Sequence, residues 1–220
     1  MALGESMERA GPGQPLEIVV VEDHAAVRMG VETILRRAGH TIAASTDSPE
    51  EAHVLVLDRR PAVALLDVNL SGGDGIELAR EILRQRPEQS ILLYTGFAAD
   101  RRLGEALAFG VRGVALKAGS PHELMQAIAT VASDGVYLDP RLREVLGQSG
   151  SVRARGVLSK REAEVLELLA QGLTGEQIAN RLVLSAETVR THVRNAMRRL
   201  GAHTRSHAVA MALSAGEINA

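Results

Sequence analysis

Four short apolar runs in the first half of the chain each end in side chains that can do chemistry. The runs close on Glu22 and Asp23, on Asp67, on Thr95 and on Lys117. Apolar runs of this length, often β-branched, are typical of buried strands in a parallel sheet. Helical patterns separate them, as in a doubly wound α/β domain, whose ligands bind outside the carboxyl ends of the strands. We therefore expect three carboxylates, a hydroxyl and an ammonium group to meet at one site.

The predicted cluster suits phosphoryl transfer assisted by a magnesium ion. Clustered carboxylates repel one another, and Mg²⁺ relieves that repulsion because it binds carboxylates, waters and phosphate. Asp67 is the candidate phosphoacceptor, since a carboxylate can attack phosphorus and form an acyl phosphate. Lys117 and the cation would neutralise charge on the transferring group, and Thr95 would hydrogen-bond a phosphoryl oxygen. The predicted metal ligands are three carboxylates and one backbone carbonyl: Glu22, Asp23, Asp67 and the carbonyl of Asn69.

Composition limits the classes of protein to consider. The chain has 220 residues, 45% of them hydrophobic, and no apolar stretch near the roughly 18–20 residues that span a membrane. It has no cysteine, which excludes disulfides and thiolate catalysis and fits a cytoplasmic location. The Gly- and Pro-containing start, residues 1–15, lacks the pattern of a secretion signal and is predicted to be a disordered lead.

Charge is divided unevenly along the chain. From Gly150 onwards there are ten basic and six acidic residues, although the whole chain carries a net charge of −2. An acidic domain joined to a domain that binds a polyanion is therefore indicated. We place a first domain at residues 16–134, a linker at 135–155 and a second domain at 156–220.

The second domain is predicted to contain four short helices in a helix-turn-helix arrangement. Two capping boxes mark helix starts, Ser159 with Glu162 and Thr174 with Gln177. A third helix begins at Ser185 and is stopped by Gly201, and a fourth covers residues 205–214. On the third helix, the candidates for reading base edges in double-stranded DNA are Arg190, Thr191 and Arg194. Further DNA-binding candidates are Arg198 and three residues suited to phosphate, Lys160, Thr188 and His192.

Residues 16–134 resemble the receiver domain of two-component response regulators. Glu22 and Asp23 match the family's acidic pair, Asp67 its phosphoacceptor, Thr95 its switch hydroxyl and Lys117 its lysine. The resemblance implies a five-stranded parallel sheet with strand order 2-1-3-4-5 and five helices. Two positions depart from the family pattern. Ser71 stands where proline is usual, and Val114 stands where the family has a ring that moves inward on phosphorylation.

Residues 156–216 resemble the helix-turn-helix of the LuxR/NarL/FixJ group. The matching segments begin at Leu158 (Leu-Ser-Lys-Arg-Glu), at Gly172 (Gly-Leu-Thr) and at Thr188 (Thr-Val-Arg-Thr-His-Val). The group's pattern assigns base contacts to Arg190, Thr191 and Arg194, and makes the fourth helix a common homodimer contact. A NarL/FixJ-type response regulator is therefore expected, with a sensor histidine kinase, DNA and a second copy of the chain as partners. A small phosphodonor is the alternative source of the phosphoryl group. RNA polymerase is a further candidate partner.

Two other functions compete with this interpretation. An aspartyl-phosphate phosphatase would use Asp67 for turnover, but Asn69 stands where its second carboxylate would lie. A DNA-binding regulator independent of phosphorylation would use the first domain only for dimerisation, and Val114 leaves that alternative open. Taken singly, each residue also has a structural explanation: an Asp after a strand often caps a helix, and a cationic helix face can simply be solvated.

Overall fold

A computed structural model describes residues 14–96, 100, 102–142 and 157–219 of the chain. The predicted N-terminal lead lies outside the described residues except for Gln14 and Pro15, and so does the predicted linker beyond residue 142. The described residues form a sheet-containing half and a helical half.

A parallel sheet carries the predicted site. Its strands, in the order in which they lie side by side, are β2 (Thr41–Thr46), β1 (Glu17–Val21), β3 (Val63–Asp67), β6 (Ile91–Thr95), β7 (Gly113–Leu116) and β8 (Tyr137–Leu138). The predicted order 2-1-3-4-5 is confirmed, with β6 and β7 as the fourth and fifth strands of the sheet. The sixth strand, β8, pairs parallel with β7. Because it has only two residues, no periodic pattern in the sequence predicts it. A small antiparallel hairpin, β4 (Asn69–Leu70) and β5 (Gly73–Asp74), follows β3.

Five helices cover the two faces of the sheet: α1 (Ala25–Arg37), α2 (Pro49–Arg59), α3 (Gly75–Gln85), α4 (Arg102–Phe109) and α5 (Pro121–Ala132). Side-chain caps start three of them, from Ser48, Asp74 and Ser120. Helices α1 and α5 pack on one face, and α2, α3 and α4 pack on the other. Strand residues alternate between these two apolar clusters, since successive side chains point to opposite faces.

The helical half contains α6 (Lys160–Ala170), α7 (Gly175–Leu182), α8 (Ala186–Leu200) and α9 (Arg205–Ser214). Both predicted capping boxes are confirmed, at the starts of α6 and α7. Gly201 ends α8 with φ +69°, the left-handed conformation that glycine adopts without strain. No helix of the described residues is long and apolar enough to cross a membrane.

The two halves are packed together through α9. This helix contacts α6 and α8 of its own half and α4 of the other. Two hydroxyls at its start bind carbonyls at the end of α4 and just beyond it: Thr204 Oγ1 donates to Leu107 O at 2.5 Å, and Ser206 Oγ donates to Val111 O at 2.7 Å. The apolar cluster beneath α2, α3 and α4 therefore continues without a break into the helical half.

Candidate functional site

The predicted carboxylates meet where β1 and β3 end. Glu22 and Asp23 follow β1, and Asp67 is the last residue of the neighbouring β3. Ligand atoms of Glu22, Asp23, Asp67 and His24 all lie within 4.8 Å of one another. Glu22 and Asp67 are each only 2% exposed. This acidic cluster could hold a metal ion.

Lys117 bridges two of the buried carboxylates. Its Nζ lies 2.7 Å from Glu22 Oε2 and 2.8 Å from Asp67 Oδ2. Burial alone would lower the pKa of Lys117, but the hydrogen bonds and charges of Asp67 and Glu22 outweigh burial and raise it. The ammonium group therefore stays charged and compensates the carboxylates. The main chain of Lys117 is held beside the end of β6, because Lys117 N donates to Thr95 O at 2.7 Å.

The two remaining residues predicted for this site are placed close to Asp67 by the backbone. Thr95 ends β6, which pairs with β3, and its side chain is fully buried. Asn69 N donates to Asp67 Oδ1 at 3.2 Å and thereby orients the carboxylate. A hydrogen bond from Thr95 to a phosphoryl group and a metal contact from the Asn69 carbonyl both stay predictions.

Two partners of Asp23 were not predicted from the sequence. Asp23 Oδ2 accepts hydrogen bonds from Ser71 Oγ and, at 2.8 Å, from Ser71 N, while His24 Nδ1 lies 2.7 Å from Asp23 Oδ1. Burial would raise the pKa of Asp23, but the bonds from Ser71 and His24 lower it to about 2. The position of His24 directly after two acidic residues is a signal that could have pointed to it. The Ser71 contact spans 48 positions and leaves no local signal.

Gly75 allows the loop after β3 to close against the site. A Cβ atom at this position would lie 1.8 Å from the backbone oxygen of Asp67, so no side chain fits. Gly75 N donates to Val68 O at 3.0 Å. The preceding residue, Asp74, caps α3 and also pairs with Arg102 at the start of α4. The loop that surrounds Asp67 is thus connected to α4.

Val114 is fully buried among apolar side chains on the α4 side of the sheet. The Tyr94 ring lies close to the lysine, with its centroid 6.0 Å from Lys117 Nζ. A valine offers no ring that could move towards a displaced Thr95.

The predicted DNA-binding residues lie on and around α8. Arg190, Arg194 and Arg198 are exposed and four residues apart, which places them on one face of the helix. Arg190 Nη2 pairs with Glu187 at 2.8 Å, and Arg194 Nη2 donates weakly to Thr191 at 3.4 Å. Both contacts join exposed or half-buried side chains on one helix, so they can rearrange at little cost.

The remaining candidates differ in exposure. Lys160 is exposed at the start of α6, whereas Thr188 and His192 are half-buried on α8. Arg199, by contrast, has a structural role, because it lies 3.3 Å from Glu162 Oε2 and donates to Val157 O. Burial would raise the pKa of Glu162, but Ser159, Arg199 and His192 together lower it.

Fold and site together define a receiver-type α/β domain joined to a helix-turn-helix domain. Comparison with known families agrees. The family described as "Response regulator receiver domain" matches residues 18–129, and "Bacterial regulatory proteins, luxR family" matches residues 156–212. The chain belongs to the response regulators that join a receiver domain to a LuxR-type DNA-binding domain.

Individual relatives are similar over nearly their whole length. The DNA-binding transcriptional activator DevR/DosR of Mycobacterium tuberculosis is 32% identical over 203 residues, covering 90% of this chain and 94% of that one. The oxygen regulatory protein NreC of Staphylococcus aureus is 32% identical over 210 residues, covering 90% of this chain and 97% of NreC. A solved RcsB–DNA complex has a TM-score of 0.56 at 25% identity, and the match covers 94% of this chain and 100% of the RcsB chain. The chain is thus a DNA-binding transcriptional regulator of the two-component type, not an enzyme.

Proposed function

We propose that Asp67 is the phosphoacceptor of this response regulator and that its phosphorylation controls DNA binding and transcription. The observation that carries the proposal is the Lys117 ammonium group, 2.8 Å from Asp67 Oδ2 and 2.7 Å from Glu22 Oε2. A lysine held at this point by a buried acidic pair can balance charge on an incoming phosphoryl group. A helix cap or a solvated turn would need neither the burial nor the lysine.

The proposed donor is a phosphohistidine of a sensor histidine kinase. A carboxylate oxygen of Asp67 attacks phosphorus, so that an O–P bond forms while the P–N bond to the donor imidazole breaks. The electron pair of the broken bond stays on the imidazole nitrogen, which takes up a proton. Lys117 stabilises the charge on the transferring oxygens, and Thr95 is placed to hydrogen-bond one of them once the group is attached.

The acidic cluster fits Mg²⁺ because three of its four donor residues, Glu22, Asp23 and Asp67, offer carboxylate oxygens, the ligands that this hard cation prefers. The residues proposed to hold it are Glu22, Asp23, Asp67 and the backbone carbonyl of Asn69. When bound, the cation supplies positive charge to the transferring group. Within the protein, Asn69 N and Lys117 keep Asp67 oriented for attack.

We propose that α8 enters the major groove of DNA and that Arg190, Thr191 and Arg194 contact base edges. Phosphate contacts are assigned to Lys160, Thr188, His192 and Arg198. The support is the row of exposed arginines on one face of α8 and the family match over residues 156–212.

Contact between α4 and α9 offers a route from Asp67 to DNA binding. Helix α4 is connected to the Asp67 loop through Asp74 and Arg102, and it covers one side of α9. The fourth helix of the second domain is also the proposed homodimer contact, so α4 and a second copy of the chain would compete for it. Phosphorylation would favour the state in which α9 is free to dimerise. Paired half-sites about one helical turn apart would then be bound.

Because the regulator must reach both a kinase and DNA, we place it in the cytoplasm.

Labelling with a radioactive phosphoryl donor tests the phosphoacceptor. Wild-type protein and Asp58→Asn, a change at an exposed aspartate of α2, should both take up label that hydroxylamine removes, as an acyl phosphate requires. Asp67→Asn should take up none. Label that persists in folded Asp67→Asn at another residue of the cluster would refute the assignment.

A pair of arginine variants tests the DNA interface. Arg194→Ala should cost about 1–3 kcal/mol on the preferred operator and less on unrelated DNA, because a base contact is lost. Arg199→Ala should instead lower the stability of the second domain, since its guanidinium holds Glu162 and Val157. Uniform weakening on all DNA by Arg194→Ala would reduce its role to a phosphate contact.

Val114 supports a second candidate, a regulator whose DNA binding does not depend on phosphorylation. Operator affinity measured with and without beryllofluoride, a phosphoryl mimic, distinguishes the two functions. If beryllofluoride greatly increases the operator affinity of wild type but not that of Asp67→Asn, phosphorylation control is supported. If the affinity of wild type is the same with and without the mimic, the alternative is supported, in which the receiver domain serves only for dimerisation.

A further inference from the structure

We infer that Ser71 is a positioning residue for the metal site, because it fixes the Asp23 carboxylate in the orientation from which it binds a divalent cation. The inference rests on the magnesium site of the proposed function. It adds a residue that touches neither the phosphoryl group nor, by our assignment, the cation.

Both donors of Ser71 converge on one oxygen of Asp23. The backbone N–H donates to Asp23 Oδ2 at 2.8 Å, and the Ser71 hydroxyl donates to the same atom. The Asp23 side chain is only 9% exposed. Two bonds to a single oxygen fix the plane of the carboxylate and so determine where its other oxygen points.

The contact also joins the two loops that build the site. Asp23 lies in the loop after β1, and Ser71 lies in the turn between β4 and β5, which follows Asp67. Proline, which the resemblance leads one to expect here, has neither an N–H group nor a hydroxyl and would make neither bond. In this chain, hydrogen bonds to Asp23 restrain the turn in place of a fixed φ angle.

Asp23 Oδ1 is the oxygen left for the cation. Its partner is His24 Nδ1 at 2.7 Å, and the His24 side chain is 70% exposed, so the imidazole can turn away without loss of packing. Mg²⁺ commonly takes a single oxygen from each carboxylate. Ser71 can therefore keep Oδ2 while Oδ1 exchanges the imidazole for the ion.

Hydrogen bonds that orient metal ligands typically account for a 10- to 100-fold difference in metal affinity. Ser71→Ala removes the hydroxyl and keeps the backbone donor, so we expect a loss at the lower end, about tenfold. Ser71→Thr retains a hydroxyl and should restore most of the affinity. Because Ser71 is exposed in a turn, both variants should fold.

Isothermal titration of Mg²⁺ into the full chain measures this loss directly. The matched control is Ser45→Ala, since Ser45 Oγ also donates to a carboxylate, that of Glu32, at 2.5 Å but outside the cluster. Wild type, Ser45→Ala and Ser71→Thr should bind similarly, and Ser71→Ala about tenfold more weakly. Phosphorylation kinetics supply a second readout. Ser71→Ala should need more Mg²⁺ for half-maximal rate yet reach the wild-type rate at saturation.

The outcomes separate the inference from the proposed function. Equal or tighter Mg²⁺ binding by folded Ser71→Ala, beside measurable binding by wild type, overturns the role of Ser71 and leaves the metal site standing. Equal weakening by Ser45→Ala overturns it too, since the effect would then not be local. If wild type binds no Mg²⁺ at millimolar concentration, the metal site fails and the inference fails with it.

Discussion

At the scale of single residues, Val183 is held in a backbone conformation that a β-branched side chain avoids. It lies between α7 and α8 with φ 54° and ψ 49°, in the left-handed region, and is 91% exposed. The turn of the helix-turn-helix needs this geometry, because Leu184 N donates back to Ala179 O. A left-handed non-glycine residue costs about 1–2 kcal/mol.

Val183→Gly should therefore raise the free energy of unfolding. Glycine removes the Cβ strain but adds entropy to the unfolded chain, so the net gain is expected to be about 1 kcal/mol. Urea denaturation measures it. The control is Val54→Gly, at an exposed valine inside α2, where the same change should destabilise by roughly 0.3–0.5 kcal/mol. If Val183→Gly also loses stability, as the control does, the Val183 side chain makes a stabilising contact that outweighs the strain.

Asp23 gives a prediction about acid stability. Its pKa falls from 3.8 to about 2 on folding, so the folded state binds this proton less tightly than the unfolded state. The stabilisation is fully present above pH 3.8 and is lost as the pH falls through 2. With metal chelated, Asp23→Asn should be less stable than wild type by about 1–2 kcal/mol near neutrality, and the difference should shrink towards pH 2. Denaturant unfolding across that range checks it. A difference that stays constant with pH would assign the loss to side-chain shape instead of charge.

Some of these residue-level features were readable from the sequence and others were not. The end of a strand is marked by the end of an apolar run, which is why Asp67, Thr95 and Lys117 could be placed together in advance. Hydrogen bonds such as Ser71 to Asp23 depend on how two loops meet in space. Arg199 looked like any other cation on α8, and only its contacts with Glu162 and Val157 reveal a structural role.

At the scale of elements, α9 is the helix whose packing the sequence described least. Its buried residues cover more than one side, because its own domain covers one side and α4 covers another, while His207, Met211 and Ser214 on the remaining face are half-buried. The sequence predicted a fourth helix over residues 205–214, and the structure has it at Arg205–Ser214. No local pattern could reveal the second partner, just as none could announce the two-residue strand β8.

The α4–α9 contact predicts that Ser206 restrains the second domain. Ser206 is buried and donates to Val111 O at 2.7 Å and to Leu107 O at 3.2 Å. Loss of its hydroxyl should weaken docking by about 1 kcal/mol. Ser206→Ala should therefore raise the operator affinity of the unphosphorylated protein by up to about fivefold, as measured by fluorescence anisotropy.

Ser214→Ala, eight residues further along α9, is the matched control for this change and should leave affinity unaltered. If Ser206→Ala folds normally and binds the operator no better than wild type, docking through α4 does not limit DNA binding. A similar gain with Ser214→Ala would point to a general loosening of α9.

At the scale of the whole molecule, one apolar cluster runs through both domains. It includes Leu103 and Leu107 of α4 together with Val209 and Leu213 of α9. A domain of about 60 residues is only marginally stable by itself, so packing against α4 should contribute to the stability of the helix-turn-helix. Unfolding of the two domains should therefore be coupled while they are docked.

Calorimetry can test whether that coupling depends on Asp67. The unphosphorylated protein should unfold in one transition. Beryllofluoride, by favouring the undocked state, should split it into two, with the small domain melting first because it has lost the apolar surface of α4. Asp67→Asn with the same reagent should keep a single transition, since no phosphoryl mimic can attach there. A single transition in wild type under both conditions would mean that the α4–α9 interface survives activation, and that control passes through another surface.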